Sequence, residues 1–453
     1  MVGTTVVCTG ISCTERRSYL DALCHQPKDR RRGHEIEWID VGQIMISVGR
    51  AHTRLNVTEH TILDLPESTL ETVRELAFEE ILRKQSRSTA DIYIVVTHAL
   101  FHWKGALVAG WSPAMIRTML PAYFITIWED VSIVWDRMNN DPRWAGISLS
   151  EVAMWREEEI FFTAMMADVV EGKHYLIARD HPVETLCDLI CSDRKMVYRS
   201  YPITEVAMYD EVKREADELR DEMQKHMVVF DPGTVKDAEF AFWLNTCLER
   251  FEERLNAKRA DVTQSLDAAC GALKPDEKAQ LVESLELTTE ERKQIIEQLC
   301  KELEDAATGR EKSNDPTGDE ESKPPGTQQR LRVFRQVALE LSVRAIRNLV
   351  VQLGQQTVAN DYRLVRQSDA VVAFWPLLPN GKKPLSFGVI CEMFYGLASQ
   401  KQVYAIWLPE TRPSPFLYSI STRCFELPHP QRKFFDSQNV SGTIYHQRGA
   451  GNR

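Results

Sequence analysis

At 453 residues the chain is long enough for two or three domains, and its 43% hydrophobic content supports full cores. No apolar run approaches the roughly 20 residues needed to span a bilayer, so a soluble protein with no membrane partner is expected. A net charge of −11 argues against a general binder of nucleic-acid polymers, which needs a basic face, but leaves room for a single nucleotide in a small pocket.

Residues 1–193 alternate strand and helix. Strands are predicted over Thr4–Cys8, Glu35–Val41, Asp91–Thr97, Tyr123–Trp128 and Tyr175–Ala178, with helices over Arg17–Cys24, Leu70–Lys84, Val131–Arg137 and Leu149–Val170. The last helix is expected to take Ser150 as its N-cap, with Glu151 in the first turn. A strand from Thr4 leaves no room for a signal peptide. The pattern is that of an α/β doubly wound domain.

The first turn reads V-V-C-T-G-I-S-C-T-E-R-R-S. A phosphate-binding loop of the G-x-x-x-x-G-K-[ST] type needs glycines, so that backbone N–H groups close on phosphate, and a lysine for charge. Gly10 fills the first position, but Glu15, Arg16 and Arg17 stand at the second glycine, the lysine and the hydroxyl. Gly10, Arg16 and Arg17 are the candidate phosphate-binding residues. Together with Val96-Thr97-His98-Ala99, the Phe124–Arg137 strand–helix run and Asp141-Pro142-Arg143, this segment resembles a small nucleoside monophosphate kinase of the adenylate kinase type. The broken loop favours a non-catalytic kinase-like domain serving packing, oligomerisation or nucleotide sensing, with an active kinase as the alternative. His98 is expected at a helix start.

From Lys195 a new strand is predicted over Val197–Tyr201, then a charged helix over Tyr209–Lys225 and a strand ending Val228-Val229-Phe230-Asp231-Pro232, in which Asp231-Pro232 reads as structural. Residues 245–304 are rich in Glu, Lys, Leu and Ala at helical spacing, with helix starts at Pro275-Asp276-Glu277 and Thr288-Thr289-Glu290. Residues 305–328 are acidic and carry Pro and Gly, which predicts a mobile linker. Helix resumes near Arg330, with Val333, Val337, Leu341 and Ile346 on one stripe. The expected domains are therefore 1–193, then 194–244 with 329–430, interrupted by a helical insertion over 245–328, and a tail over 431–453. The fold class is α/β: two doubly wound parallel-sheet, Rossmann-like domains, the second carrying the insertion. The ten cysteines form no CxxC pair and sit mostly in apolar runs, which reads as the reduced thiols of a cytosolic protein with no metal or other cofactor.

The chemistry concentrates between Gln356 and Leu408. A helix end carries Asn360 and Asp361, and Ala370–Trp375 reads as a buried strand. A Pro/Gly/Lys loop with Lys382 and Lys383 follows, then a helix over Phe387–Ser399 and a strand over Val403–Leu408. In a parallel sheet the ligand crevice lies beyond the carboxyl ends of the strands. Asp361, Ser386, Gly388 and Glu392 can therefore converge there. The plain alternatives are a dipole-favoured carboxylate for Glu392, a solvated charge or cap for Asp361, and a core tyrosine for Tyr198.

Asn360-Asp361, Ser368-Asp369-Ala370-Val371-Val372 and Ser386-Phe387-Gly388-Val389-Ile390-Cys391-Glu392, with the opening run Met196–Ile203, resemble the nucleoside 2-deoxyribosyltransferase family and its relatives that hydrolyse 2'-deoxynucleoside 5'-monophosphates. Ile390 stands where the family motif has its second glycine. The resemblance implies Glu392 as nucleophile at C1', Asp361 as proton donor or acceptor at the base, and Tyr198 as the residue that aims the nucleophile. It also implies substrate contacts from Ser386, Gly388, Asn360 and Ser200, no cofactor, and a homo-oligomer. Ser386, where the transferases carry Asp, tilts the expected substrate towards 5'-phosphates. Cleavage of a dinucleotide such as NAD, or a non-turning-over nucleotide sensor, remains open; a sensor paired with a nucleotide-cleaving domain would suit nucleotide-pool control or antiviral defence.

Overall fold

The computed structural model describes residues 3–52, 56–104, 106–269, 289–307, 327–381, 384, 386–409 and 411–426. Lys382, Lys383, the Pro275 helix start, most of the acidic 305–328 stretch and the 431–453 tail lie outside the described residues. The protein is mixed α/β with two five-stranded parallel sheets flanked by helices, the Rossmann-like doubly wound arrangement.

In chain order the first half contains β1 (Thr4–Thr9), α1 (Arg16–Cys24), β2 (Ile36–Asp40), α2 (Val41–His52), α3 (Glu67–Arg87), β3 (Ile92–Val96), β4 (Leu100–Trp103), β5 (Ala106–Ala109), α4 (Pro113–Met119), β6 (Tyr123–Trp128), α5 (Val131–Asn139), α6 (Leu149–Val169), β7 (Lys173–Ala178) and α7 (Val183–Cys191). The second half contains β8 (Met196–Ser200), α8 (Ile203–Val206), α9 (Asp210–Gln224), β9 (Val228–Phe230), α10 (Asp237–Ala269), α11 (Thr289–Ala307), α12 (Thr327–Glu340), α13 (Val343–Gln367), β10 (Ala370–Trp375), α14 (Phe387–Ala398), β11 (Gln402–Trp407), α15 (Pro415–Ile420) and β12 (Arg423–Glu426).

The first sheet has strand order β2-β3-β1-β6-β7, and the second β12-β11-β10-β8-β9. Fully buried runs such as Ile92–Val96 and Ala370–Trp375 are what a sheet covered on both faces requires. The second sheet shows the two-sided cover residue by residue. Val197, Val229, Val372 and Phe374 face a core with Val212, Ala216, Leu219 and Met223 of α9. Tyr198, Phe230, Val371 and Ala373 face the opposite core, with Leu364 and Val365 of α13 and Val389 and Met393 of α14. Helix α14 lies so close to β10 that a Cβ on Gly396 would stand 2.7 Å from Val371 Cγ2. Only glycine fits that contact.

Both sheets belong to one compact unit (Met1–Glu129, Met154–Val235 and Val358–Arg453). A second unit (Asp130–Ala153 and Lys236–Thr357) is helical, and Phe240, Leu244, Leu248, Phe251, Ile296 and Phe334 are among its buried residues. Within it, the Arg292 guanidinium donates to the carbonyls of Ala338 and Leu341, which satisfies the open C-terminal end of α12.

Three local expectations need correction. Helix α6 is capped by Ser148 rather than Ser150. The Ser148 hydroxyl accepts from the Glu151 N–H at 3.2 Å while the Glu151 carboxylate accepts from the Ser148 N–H at 2.8 Å, a reciprocal capping box. His98 leads into the β4–β5 hairpin, not a helix; Lys104, with φ 49°, makes the left-handed turn that closes it. Helices α2 and α4 fall where no element was expected.

Candidate active site

Strand β8 carries Tyr198 and Ser200, two residues apart and so on one face of the sheet, while Arg199 between them turns to the other. Arg199 is buried there against Asp231, at 2.5 Å, and donates to the Ala216 carbonyl at 2.7 Å. The structural reading of Asp231 is what the fold displays. Register places Tyr198 beside Val371 and Ser200 beside Ala373.

On the Tyr198 face, Glu392 projects from the second turn of α14 and the Ser200 hydroxyl donates a hydrogen bond to its Oε2. Asp361, two turns before the end of α13, lies near enough that the Glu392 charge acts on it directly. The Tyr198 hydroxyl, fully buried, sits within the field of both carboxylates but meets full hydrogen-bond geometry with neither. Glu392, Asp361, Tyr198 and Ser200 thus come from three elements, of which β8 is far from the other two in sequence, and form one cluster. Both carboxylates keep part of their surface accessible, although protein surrounds them on most sides.

The electrostatics follow from that enclosure. Burial raises the Glu392 carboxyl to about 7, opposed by the hydroxyls of Ser200 and Tyr198. Burial also lifts Asp361 well above the carboxylate range, and the neighbouring Glu392 charge lifts it further. Tyr198 is held well above its ordinary value by burial and then by the two acids. The Ser200 hydroxyl favours the charged form of Glu392, and a charge on Glu392 favours the neutral form of Asp361. An anion beside a neutral acid is the division of labour that a nucleophile and a proton donor need.

Ser386 caps α14, accepting from the Val389 N–H at 3.4 Å, and is half-buried; Gly388 is exposed in the first turn. A Cβ at Gly388 would meet nothing closer than Ser386 Oγ at 3.6 Å, so packing does not demand glycine there. Asn360 is not brought into the cluster. It is fully buried, its amide donates to Glu157 of α6 at 2.9 Å, and its carbonyl oxygen accepts from Arg363.

At the first sheet, the three phosphate-site candidates all have protein partners. The Gly10 N–H donates to Glu159 Oε1 at 3.0 Å. Arg16 is half-buried, donating to the Thr97 carbonyl at 2.5 Å and lying 2.8 Å from His98 Nε2; Arg17 pairs with Asp40 at 2.7 Å. Gly10 itself cannot change: its φ is 146° and a Cβ would stand 2.4 Å from the Ile127 carbonyl oxygen. Glu159, which the sequence reading missed, also accepts from the N–H groups of Ala99 and Leu100 at 2.8 and 3.0 Å. One carboxylate of the protein's own therefore occupies the converging donors of this loop. Its signal in the sequence was position: Glu159 falls on the same α6 stripe as Val152, Arg156 and Thr163, all buried.

Among the described residues no group of three or more His, Cys, Asp or Glu side chains is placed to hold a metal ion, and no helix is long and apolar enough to cross a membrane. No protein-family model matches the chain, and no curated protein matches it significantly.

Proposed function

We propose that the chain cleaves the N-glycosidic bond of a 2'-deoxynucleoside 5'-monophosphate or a related nucleotide. The observation that carries this reading is the meeting of Glu392, Asp361, Tyr198 and Ser200 in one half-enclosed cluster, with the two acids biased to different protonation states. In the first step a Glu392 oxygen bonds to C1' and the bond from C1' to the base nitrogen breaks. Its electron pair leaves with the base, and the Asp361 proton lands on the departing ring. In the second step water attacks C1', the glycosyl ester opens to return the Glu392 carboxylate, and the water proton restores Asp361. The open first turn of α14 supports a 5'-phosphate near Ser386 and Gly388, because helix N-termini present N–H donors to anions.

The direct test is incubation with deoxynucleotides, ribonucleotides, nucleosides and NAD, followed by chromatography for free base. Release from NAD alone would move the reading to a dinucleotide glycohydrolase, and no release from any of them would leave a nucleotide-binding protein.

Two expected results refine the chemistry. The pH dependence of kcat/KM should be a bell. Its acid limb lies near 7, where Glu392 loses its proton, and its alkaline limb lies where Asp361 loses its own. Asp361→Asn should lose most activity on poor leaving groups, little on activated bases, and should abolish the alkaline limb. An unchanged bell would remove Asp361 from proton transfer. Ser386→Asp should keep the α14 cap while repelling a 5'-phosphate, so the nucleotide-to-nucleoside ratio of kcat/KM should fall by roughly tenfold or more. An unchanged ratio would place the phosphate elsewhere.

A further inference from the structure

Helix α13 carries Asp361, and two sets of contacts outside the candidate site fix where it points. Asn360 and Arg363, three residues apart and so about 60° apart around the helix, both reach Glu157 of α6. The Asn360 amide donates to Glu157 Oε1 at 2.9 Å and the Arg363 guanidinium to Glu157 Oε2 at 2.5 Å. Arg363 also donates to the Asn360 side-chain carbonyl oxygen at 2.5 Å, which closes a triangle. Asp361 lies about 100° from Asn360 and about 160° from Arg363, on the side towards Glu392.

The last residue of α13, Gln367, makes the second set. Its side-chain amide accepts from the Leu176 N–H at 2.8 Å and donates to the Leu176 carbonyl at 3.0 Å. Leu176 belongs to β7, the edge strand of the first sheet, so this amide supplies to that edge what a further strand would. The other anchor is held just as firmly. Two residues beyond Glu157 on α6, Glu159 accepts from the N–H groups of Gly10, Ala99 and Leu100. Helix side chains reach about 5–6 Å from the axis, so a turn of only about 20° would move the Asp361 carboxyl by about 2 Å. A proton donor has to stand within hydrogen-bond reach of the base nitrogen, and a shift of that size takes it out of reach. The Glu157 triangle resists rotation of α13, and the Gln367 pair resists sliding.

We propose that the first half of the chain is the frame that aims Asp361, with Glu157 setting the rotation of α13 through Asn360 and Arg363, and Gln367 setting its axial place on β7. Glu157 and Gln367 are positioning residues: they act through Asp361 and touch no substrate. Their effect on turnover rests on the reading of Asp361 as the proton donor. The first half thereby serves the reaction through α6 and β7 rather than through its own loop.

On nucleotides with poor leaving groups, Glu157→Ala should lower kcat by roughly 10–100-fold, with KM close to wild type and little change on activated bases. Glu157→Gln, whose carbonyl oxygen still accepts from one of the two donors, should fall between, and Gln367→Ala should show the same pattern as Glu157→Ala. In an Asp361→Asn background Glu157→Ala should cost nothing further, because both changes act on one step. Nuclear magnetic resonance titration of isotope-labelled aspartate carboxyls, with Asp361 assigned by its loss in Asp361→Asn, reads the geometry without turnover. Glu157→Ala should bring the Asp361 carboxyl down towards its ordinary range as it leaves the enclosure beside Glu392. Circular dichroism melts establish that each variant folds; if Glu157→Ala does not, Glu157→Gln and Gln367→Ala carry the same comparisons. An equal loss on all leaving groups, or a loss that adds to that of Asp361→Asn, would make Glu157 a prop for the fold and overturn the proposal. An Asp361 titration unmoved by Glu157→Ala would overturn it as well, whether or not the wild type cleaves nucleotides. A wild type that releases no base, with that titration still shifted, would remove the glycosidase reading and leave the frame standing.

Discussion

Glu392→Gln should reduce base release by about 10⁴–10⁶-fold, the scale on which loss of a covalent nucleophile is felt. Glutamine keeps the size and still accepts from the Ser200 hydroxyl, but it cannot form a glycosyl ester. The protein itself should not suffer. Glu392 has its carboxyl raised in the folded state, from 4.5 to about 7, so the native state binds its proton more tightly than the unfolded chain does. Its contribution to stability is therefore present at low pH and is lost as pH rises from about 4.5 through 7. Glutamine has no such loss, so the variant should equal the wild type in acid and exceed it above pH 7. Removing the Glu392 charge should also let Asp361 titrate lower, since that charge is the second cause of its elevation. Denaturant midpoints across pH, beside single-turnover assays, read both effects. Retained turnover would end the nucleophile assignment. A variant inactive but less stable than wild type above pH 7 would mean that Glu392 holds the fold rather than the chemistry.

The strands were the most legible part of the sequence, because runs such as Ile92–Val96 and Ala370–Trp375 combine β-branched and aromatic residues with full burial. Helix α2 was hidden for the same reason. Its Ile44, Ile46 and Val48 favour strand by local preference, and packing on α3 decides otherwise, with Met45, Ile46 and Gly49 buried. The cap of α6 lay between two serines two residues apart, and only Ser148 has the Glu three residues on. In the candidate site, it was the family resemblance that pointed to Glu392, Asp361 and Tyr198. It was not enough to orient Asn360 and Asp361. Neighbours on a helix point about 100° apart, and one of this pair turns to Glu392 while the other turns to Glu157. Nor was Ser200 visible as the partner of Glu392, because that contact depends on the register of β8 against β10, 170 residues later.

Glu159→Ala should be the most destabilising single change at the first sheet. Glu159 is fully buried and accepts from three backbone N–H groups, those of Gly10, Ala99 and Leu100. Glu159 thereby gathers the loop after β1 and the turn after β3 onto one acceptor. Alanine strips all three donors at once in a place water reaches poorly, and Arg16 loses the nearby negative charge that offsets its own burial. Relief from burying a carboxylate returns part of that loss, so the net destabilisation should be about 3–6 kcal/mol. Glu159→Gln keeps one carbonyl oxygen but turns an amide N–H₂ towards a donor, and should fall between alanine and wild type. Urea unfolding followed by far-UV circular dichroism measures both. The same occupancy bears on catalysis: with Glu159 among the donors and Glu15 at the second glycine, the wild type should form no ADP from ATP and AMP or dAMP. An alanine variant as stable as wild type would show that these N–H groups find water or another acceptor. ADP formation that disappears on Arg16→Ala would show that phosphate displaces Glu159 from the loop.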